Sequence, residues 1–262
     1  MTSAALLVLA LLAPSAAPAA PACGPPPLAA GARPWGPGET LTFDLDLLGM
    51  VRTGTLQLSV ERPMSRGRVI PLRARARTDA SLAALKNVTA VGFSWIDADT
   101  LLPERYRDEA LENGVRKVSD TRLAPPAGEV VVAYRYGDRE GKTSYPRQGP
   151  VLDALSAVYL LRAARLAPGE AFCFELVANR RFWRLEGTVA RKIEPVDTPA
   201  GRFQTLRVDA VARRADDPAA RARPLHLWFS NDGRRLLVAA VSEIDLGPVR
   251  AMLASVRGAR AP

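Results

Sequence analysis

The chain is organised around residues 151–166, VLDALSAVYLLRAARL, which carry the clearest helical pattern in a sequence that otherwise alternates as strands do. Asp153 stands at the N-cap position, where a carboxylate accepts hydrogen bonds from free N–H groups of the first turn. Polar residues recur at every third position: Asp153, Ser156, Tyr159, Arg162 and Arg165. Residues three apart are neighbours on a helix, so these five form one polar ridge. The remaining positions are Ala, Val or Leu, which predicts a helix buried against a large sheet.

Strand patterns lie on both sides of this helix. Leu41, Phe43 and Leu45 alternate with Thr42 and Asp44, the period-two pattern of a half-buried strand. Similar patterns recur about a dozen times with short connections, which favour antiparallel pairing. We therefore predict a mainly β fold, a large curved antiparallel sheet or a partly closed β-barrel meander with one principal helix packed on it. Residues 38–258 are predicted to form this single domain.

The N-terminus predicts export. Residues 4–13 form an apolar run of signal-peptide length that is too short to span a bilayer. Small residues and prolines follow and offer several Ala-x-Ala cleavage sites, so we assign residues 1–22 to a signal peptide. No later stretch has the pattern of a membrane span, and we expect a periplasmic or envelope-associated protein. Residues 23–37 are rich in Pro, Gly and Ala, and predict a linker with little reason to pack.

Cys23 and Cys173 are the only cysteines, and three states of them stay open. An oxidising compartment favours one disulfide between them. A lipid on Cys23 is the second state, although Ala20-Pro21-Ala22 lacks the Leu that usually stands three positions before a lipidated cysteine. Two unpaired thiols are the third. Two distant cysteines exclude a closed thiolate metal site.

The charge balance limits the partners. The formal net charge is +9, nearly all of it from Arg, and the basic residues are scattered among Asp and Glu. A nucleic-acid footprint is clustered, so the sequence argues against nucleic-acid binding. Attraction to an anionic membrane surface remains an expectation.

Candidate chemical groups are few. The single histidine, His226, has no nucleophile motif near it, and the sequence lacks Gly-x-Ser-x-Gly, Ser-x-x-Lys, phosphate-loop and dinucleotide-binding patterns. We predict no catalytic residues, no metal site and no cofactor. One interpretation is a ligand-binding set that consists of Asp153, Ser156, Tyr159, Arg162 and Trp228. The sequence favours the structural alternative, in which the polar ridge ties the helix to nearby strand ends.

Several short motifs occur in a characteristic order. They are Gly38-Glu39-x-Leu41-x-Phe43, Leu102-Pro103, Asp153-x-Leu155-Ser156-x-x-Tyr159-x-Leu161-Arg162, Thr198-Pro199-Ala200-Gly201-x-Phe203 and Trp228-Phe229-Ser230-x-Asp232-x-x-Arg235. Their order and spacing over residues 39–253 resemble the bacterial exported-protein family known as domain of unknown function 3108. The resemblance implies export to the envelope, a mostly antiparallel β fold and no established activity, and it supplies no catalytic residues.

Three hypotheses for function follow. The first is a non-enzymatic protein whose sheet and helix form a cleft for an apolar or amphipathic envelope molecule, such as a lipid or a lipoprotein acyl chain, by analogy at the level of fold. The second is a structural or interaction module that docks to another envelope protein. The third, which the sequence favours least, is an enzyme acting on envelope material. It requires Asp153, Ser156, Tyr159 or His226 to converge in one open pocket.

Overall fold

A computed structural model describes residues 23–47, 49–80, 82, 86–123, 128–244 and 247–258. The predicted signal peptide lies outside these residues. The described chain forms fifteen strands and one α-helix: β1 (Thr40–Leu47), β2 (Val51–Val60), β3 (Val69–Thr78), β4 (Val88–Asp97), β5 (Pro103–Glu112), β6 (Val115–Arg122), β7 (Glu129–Tyr136), β8 (Arg139–Pro146), β9 (Val151–Asp153), α1 (Ala154–Ala163), β10 (Ala171–Ala178), β11 (Arg181–Thr198), β12 (Gly201–Arg214), β13 (Arg223–Ser230), β14 (Leu237–Ile244) and β15 (Gly247–Arg257).

All the strands belong to one sheet, in the order β8-β7-β6-β5-β4-β3-β2-β1-β15-β14-β13-β12-β11-β10-β9. Neighbouring strands are antiparallel except β9 and β10, which are parallel. The first and last strands pair in the middle of the sheet, where Thr40 lies opposite Arg257. The predicted fold class, a large curved sheet with one principal helix, is confirmed. The sheet is not a closed barrel, because β8 and β9 form its two edges.

The sheet curls until its two edges approach each other. β8 ends at Pro146 and β9 begins at Val151 on the opposite edge, yet the connection between them spans at most about 18 Å. Side chains from strands at and near the two edges of the sheet pack together in a small second core. In it the ring of Tyr145 on β8 stacks on Phe182 of β11 at 5.4 Å between centroids. The edges therefore meet through side chains.

Successive connections alternate between the two ends of the strands. We call the end at which β1 finishes the upper end and the end at which β1 begins the lower end. The upper end carries the turns β1–β2, β3–β4, β5–β6, β10–β11, β12–β13 and β14–β15. The lower end carries β2–β3, β4–β5, β11–β12 and β13–β14, together with residues 23–38, which lead into β1. α1 follows β9, which runs toward the upper end, and the chain then returns to the lower end to begin β10.

The helix is shorter than the pattern predicts. Residues 151–153 pair as strand β9 with residues 175–177 of β10, and α1 begins after Asp153. The helix ends at Ala163, because Ala164 adopts an extended conformation and bridges to Leu28. All its residues except Ala154 and Val158 are buried, as its apolar composition predicts. Within the described chain, no helix has the length and apolar character needed to cross a bilayer.

Residues 23–37 pack against the lower end of the helix, which differs from the linker that their composition predicts. Trp35 is 1% exposed, and its indole Nε1 donates to the carbonyl of Tyr159 at 3.0 Å. The backbone N of Ala29 donates to the carbonyl of Ala163 at 2.8 Å. The last four carbonyls of a helix have no partner within it, and Ala29 supplies the missing donor for that of Ala163. The large aromatic ring of Trp35 adds an apolar anchor that composition alone hides.

A disulfide joins Cys23 to Cys173 on β10. It ties the beginning of the described chain to the lower end of the sheet, across 150 residues of sequence. A lipid on Cys23 requires the same sulfur atom, so the disulfide and lipidation exclude each other. Of the three states that the sequence leaves open, the structure contains the disulfide.

Candidate ligand-binding site

The N-terminus of α1 is fixed to the sheet through Asp153. Its Oδ1 accepts hydrogen bonds from the backbone N of Leu155 and of Ser156, both at 2.9 Å. Its Oδ2 accepts from Ser94 Oγ on β4 at 2.6 Å. Ser156 Oγ in turn accepts from the backbone N of Asp153 at 2.9 Å, which completes a capping box. Burial raises the pKa of the Asp153 carboxyl, and the hydrogen bonds from Ser94 and Ser156 oppose this rise.

The C-terminal half of α1 is fixed by a buried ion pair. The Arg162 guanidinium donates to both oxygens of Glu39, at 2.5 Å and 3.0 Å, and neither side chain is exposed to solvent. Arg162 Nε also donates to the carbonyl of Arg235 at 2.8 Å, and Nη2 donates to the carbonyl of Arg234 at 3.2 Å. One guanidinium thus joins the helix to the residue before β1 and to the β13–β14 turn.

Tyr159 lies between these two attachments and is fully buried. Its ring meets Trp35 edge-on at 5.2 Å, and the Arg162 guanidinium carbon lies 5.2 Å from its centroid. Burial raises the pKa of the Tyr159 hydroxyl well above its usual range, and the hydroxyl has no hydrogen-bond partner among the described residues. Four of the five predicted ligand residues are therefore buried and contact other parts of the fold. They are Asp153, Ser156, Tyr159 and Arg162.

Trp228, the fifth predicted ligand residue, lies on the outer face of the sheet, away from α1. Its indole Nε1 donates to Glu194 Oε1 at 2.5 Å. His226 lies on the same face, with its Nδ1 2.6 Å from Asp209 Oδ1. The residues whose convergence an enzyme would require are thus divided, because Asp153, Ser156 and Tyr159 are buried inside. No cluster of His, Cys, Asp and Glu in the described chain is placed to hold a metal ion.

A cavity of about 460 Å³ lies between α1 and the concave face of the sheet. Its walls come from α1 and from inward-facing side chains of β2, β3, β5 and β10 to β14. Most of them are apolar, among them Leu58, Val158, Phe174, Trp183, Leu225 and Leu227. The volume falls within the roughly 300–1,000 Å³ range of small-molecule pockets. The molecule therefore has an apolar cavity next to its principal helix.

The polar residues of this cavity are concentrated at its upper end. They are Asn179, Arg223, Ser242 and Glu243, which lie at or next to the upper connections. Tyr106 is the other polar lining residue; burial, with a smaller contribution from the nearby carboxylates, raises the pKa of its hydroxyl well above the usual range. Ala154 and Asn179, which are exposed, mark the opening. The cavity thus has an apolar interior and a polar mouth.

Small side chains create the space. Five alanines line the cavity, on α1 and on four strands: Ala74, Ala157, Ala178, Ala212 and Ala240, in addition to Ala154 at the mouth. Neighbouring inward positions carry Leu, Phe or Trp and fill the rest of the interior. None of the predicted ligand residues lines this cavity. The sequence hypothesis expected a cleft between sheet and helix but named none of its lining residues, because an inward-facing Ala in an Ala-rich chain carries no motif.

Comparison with known proteins places this architecture in a family. Residues 40–254 match the family described as "Protein of unknown function (DUF3108)". The chain belongs to this family. The match confirms the resemblance seen in the sequence motifs, and the family description assigns no activity. No curated protein matches the chain.

Solved structures similar to this chain include the following three. The β-barrel-like protein of domain of unknown function DUF1849 from Brucella abortus has a TM-score of 0.56 and 12% identity, with 84% of this chain and 96% of that chain covered. A Bacteroides fragilis protein with a YmcC-like fold has a TM-score of 0.34, 12% identity, and 86% and 97% coverage. A candidate lipoprotein from Parabacteroides distasonis has a TM-score of 0.34, 10% identity, and the same coverage. The Brucella structure shows that the fold is β-barrel-like.

Proposed function

We propose that this member of the family binds an apolar or amphipathic molecule of the bacterial cell envelope, such as a lipid or a lipoprotein acyl chain, in the cavity beside α1. The protein acts by binding and carries out no reaction on the ligand. The observation that carries this proposal is the apolar cavity of about 460 Å³ between helix and sheet. The signal peptide predicted from the sequence supports this proposal, because export would bring the protein to the envelope, where such ligands occur.

The composition of the cavity selects the ligand class. Its interior lacks charged side chains, since Arg223 and Glu243 lie at the mouth. A polar ligand would lose its hydration there and find few groups besides the Tyr106 hydroxyl with which to form hydrogen bonds, which is unfavourable. An alkyl chain gains about 25 cal/mol for each Å² of apolar surface removed from water. The ligand that fits best therefore has an apolar tail inside and a polar group at the mouth.

The helix and the sheet hold the cavity open. Asp153 fixes one end of α1 to β4, and Arg162 fixes the other end to Glu39. Between these attachments the helix turns Ala157, Val158 and Leu161 toward the cavity. Because both ends of α1 are held, the helix is not free to collapse onto the sheet and fill the space. A preformed pocket of this kind binds without a large cost of reorganisation.

A cavity-filling variant tests this proposal. Val158 is half-buried and lines the cavity, so Val158→Trp fills it with an indole ring. Thr188→Trp, on the exposed outer face of β11, is the matched control. We expect a fluorescent fatty acid to bind the mature wild type and the control, and to bind Val158→Trp at least tenfold more weakly. Circular dichroism establishes that both variants are folded.

Lipid extraction from the protein purified from its native envelope gives a second measurement. Mass spectrometry is expected to find lipid with the wild type and the control, and to find it depleted with Val158→Trp. A wild type that binds no fatty acid and carries no lipid would overturn the proposal. Equal binding by wild type and a folded Val158→Trp would also overturn it, because the ligand would then occupy another site.

A further inference from the structure

We infer that the upper end of the sheet docks onto an anionic lipid surface, with the cavity mouth turned toward that surface. This inference rests on the proposed function and adds the partner from which the ligand enters. Two independent features of the upper end carry it. One is a set of exposed apolar side chains at the tips of its turns, and the other is the orientation of its ion pairs.

Exposed apolar residues occur at two upper turns. Met50, in the β1–β2 turn, is 77% exposed and is followed by exposed Val51, the first residue of β2. Leu111 and Val115 are exposed on either side of the β5–β6 turn. Four of the seven exposed large hydrophobic residues in the described chain are therefore at this end. Side chains of this kind gain free energy when they enter the interface of a bilayer.

Hydrogen bonds join neighbouring segments of the upper end between these two turns. Asn113 in the β5–β6 turn donates its backbone N to the carbonyl of Asn87, and Asn113 Oδ1 accepts from the backbone N of Asn87 at 2.8 Å. The backbone N of Asp79, after β3, donates to the carbonyl of Thr53 on β2 at 2.9 Å. β2 and β5 are three strands apart, which is about 14 Å at the usual strand spacing. Both apolar tips can therefore reach one flat surface.

Several ion pairs on the same end expose their positive member more than their negative one. Arg221 is 82% exposed while its partner Glu243 is 25% exposed, and Arg52 is 54% exposed while Asp44 is 31% exposed. The same order holds for two further pairs of the upper end, Lys86 with Glu112 and Arg116 with Glu109. In these four pairs the carboxylate lies deeper than its cation, so the positive group is the one nearer the solvent. Such outward cations attract anionic lipid head groups.

The lower end differs from the upper end in this respect. There the carboxylate is the more exposed member in Arg73–Glu61 and in Arg202–Asp197. Other pairs do not follow this order. Arg105–Asp120 near the lower end exposes its cation, Arg214 at the upper end is less exposed than its partners Asp216 and Asp217, and Arg135 and Glu140 beside the β7–β8 turn are equally exposed. The lower end also carries the disulfide and the packed residues 23–37. The end that carries the cavity mouth therefore also carries four pairs with an outward cation and most of the exposed apolar side chains.

Vesicle flotation tests this inference with the mature protein. The vesicles contain either phosphatidylcholine alone or phosphatidylcholine with phosphatidylglycerol. We expect the wild type to float with the anionic vesicles and to bind the neutral ones at least tenfold more weakly. Raised salt is expected to weaken the binding, because ions screen charges at the surface. Equal, salt-insensitive binding to both vesicles would overturn the inference, as would no binding to either.

A pair of variants locates the docking surface. Met50→Asp combined with Leu111→Asp places two negative charges on the upper tips, and binding to anionic vesicles is expected to fall at least tenfold. Met64→Asp is the matched control, because Met64 is also exposed, at 52%, and lies in the β2–β3 connection of the lower end. Its binding is expected to stay at the wild-type level. Equal losses in the two variants would overturn the assignment of the upper end.

Binding of a soluble fluorescent fatty acid without vesicles separates this inference from the proposed function. The variant with both upper tips changed is expected to keep fatty-acid binding, while Val158→Trp is expected to lose it and still float. A wild type that binds fatty acid but does not float overturns the docking inference and leaves the proposed function standing. A wild type that floats but binds no fatty acid supports the docking surface and overturns the proposed function.

Discussion

Replacing Arg162 with Met is expected to destabilise the protein severely, because it leaves Glu39 buried without its cation. The two side chains share two hydrogen bonds and are completely excluded from solvent. Removing one member of such a pair typically costs about 3–5 kcal/mol. The carbonyls of Arg234 and Arg235 also lose their donor. Set against a total stability of about 5–15 kcal/mol, the loss is a large fraction of what holds the fold together.

The double variant Arg162→Met with Glu39→Leu distinguishes a charge effect from lost packing. With both charges removed, no buried carboxylate remains unpaired, so the double variant is expected to be more stable than Arg162→Met alone. It stays less stable than the wild type, because the two carbonyls still lack a donor. A cycle of the wild type, both single variants and the double variant gives the coupling energy between the two side chains.

Urea unfolding followed by tryptophan fluorescence, with the disulfide intact, measures these free energies. Arg52→Met is the control, because its ion pair with Asp44 is half exposed and is expected to contribute less than about 1 kcal/mol. A loss below about 1 kcal/mol for Arg162→Met would refute the reasoning. So would a double variant whose loss equals the sum of the single losses, since the two residues would then act independently.

Three further predictions concern the attachments of the helix and of residues 23–37. Replacing Cys23 and Cys173 with Ser is expected to cost on the order of 2–5 kcal/mol in urea unfolding and to expose residues 23–37 to limited proteolysis; unchanged protease resistance would contradict this. Trp35→Ala is expected to cost about 3–5 kcal/mol, measured in the same way, because the buried ring packs on Tyr159; a smaller cost for Trp35→Phe is the comparison. Burial raises the pKa of Asp153 above its ordinary value of 3.8, so the folded protein holds this proton more tightly than the unfolded chain, and the contribution of Asp153 to stability falls as pH rises from about 3.8 to the folded pKa. Asp153→Asn lacks this dependence, so its unfolding free energy relative to wild type should rise with pH across that window, and a constant difference would contradict the assignment.

The features that the sequence predicts correctly depend on residues close together in the chain. The N-cap at Asp153 and the buried helix after it follow from residues only a few positions apart. The strand alternation around Phe43 has a period of two and predicts a half-buried strand. The structural interpretation of the polar ridge agrees with the contacts of Asp153 and Arg162. Local chemistry was sufficient for each of these.

The features that the sequence does not reveal depend on residues far apart in the chain. Glu39 and Arg162 are separated by 123 positions, and neither carries a local sign of its partner. The role of Trp35 was hidden by the Pro, Gly and Ala around it, although a lone Trp in such a segment is the signal that could have shown it. The cavity depends on which alanines face inward from several strands, and that is decided by the curvature of the whole sheet.

The strand order has a consequence for how the chain is assembled. Across the sheet the strands run in the order β9 to β15 and then β1 to β8. This is the order of a simple meander, except that the chain begins and ends at neighbouring strands in the middle of the sheet. β1 leaves the ribosome about 200 residues before β15, which at roughly 5–20 residues per second is on the order of 10–40 s. Throughout that interval β1 has β2 on one side and an open edge on the other. A circular permutant that begins between β8 and β9 and joins residue 258 to residue 38 would pair every antiparallel strand with its neighbour in sequence. Such a permutant is expected to fold faster than the natural chain, because β1 and β15 would no longer have to pair across the whole length of the domain.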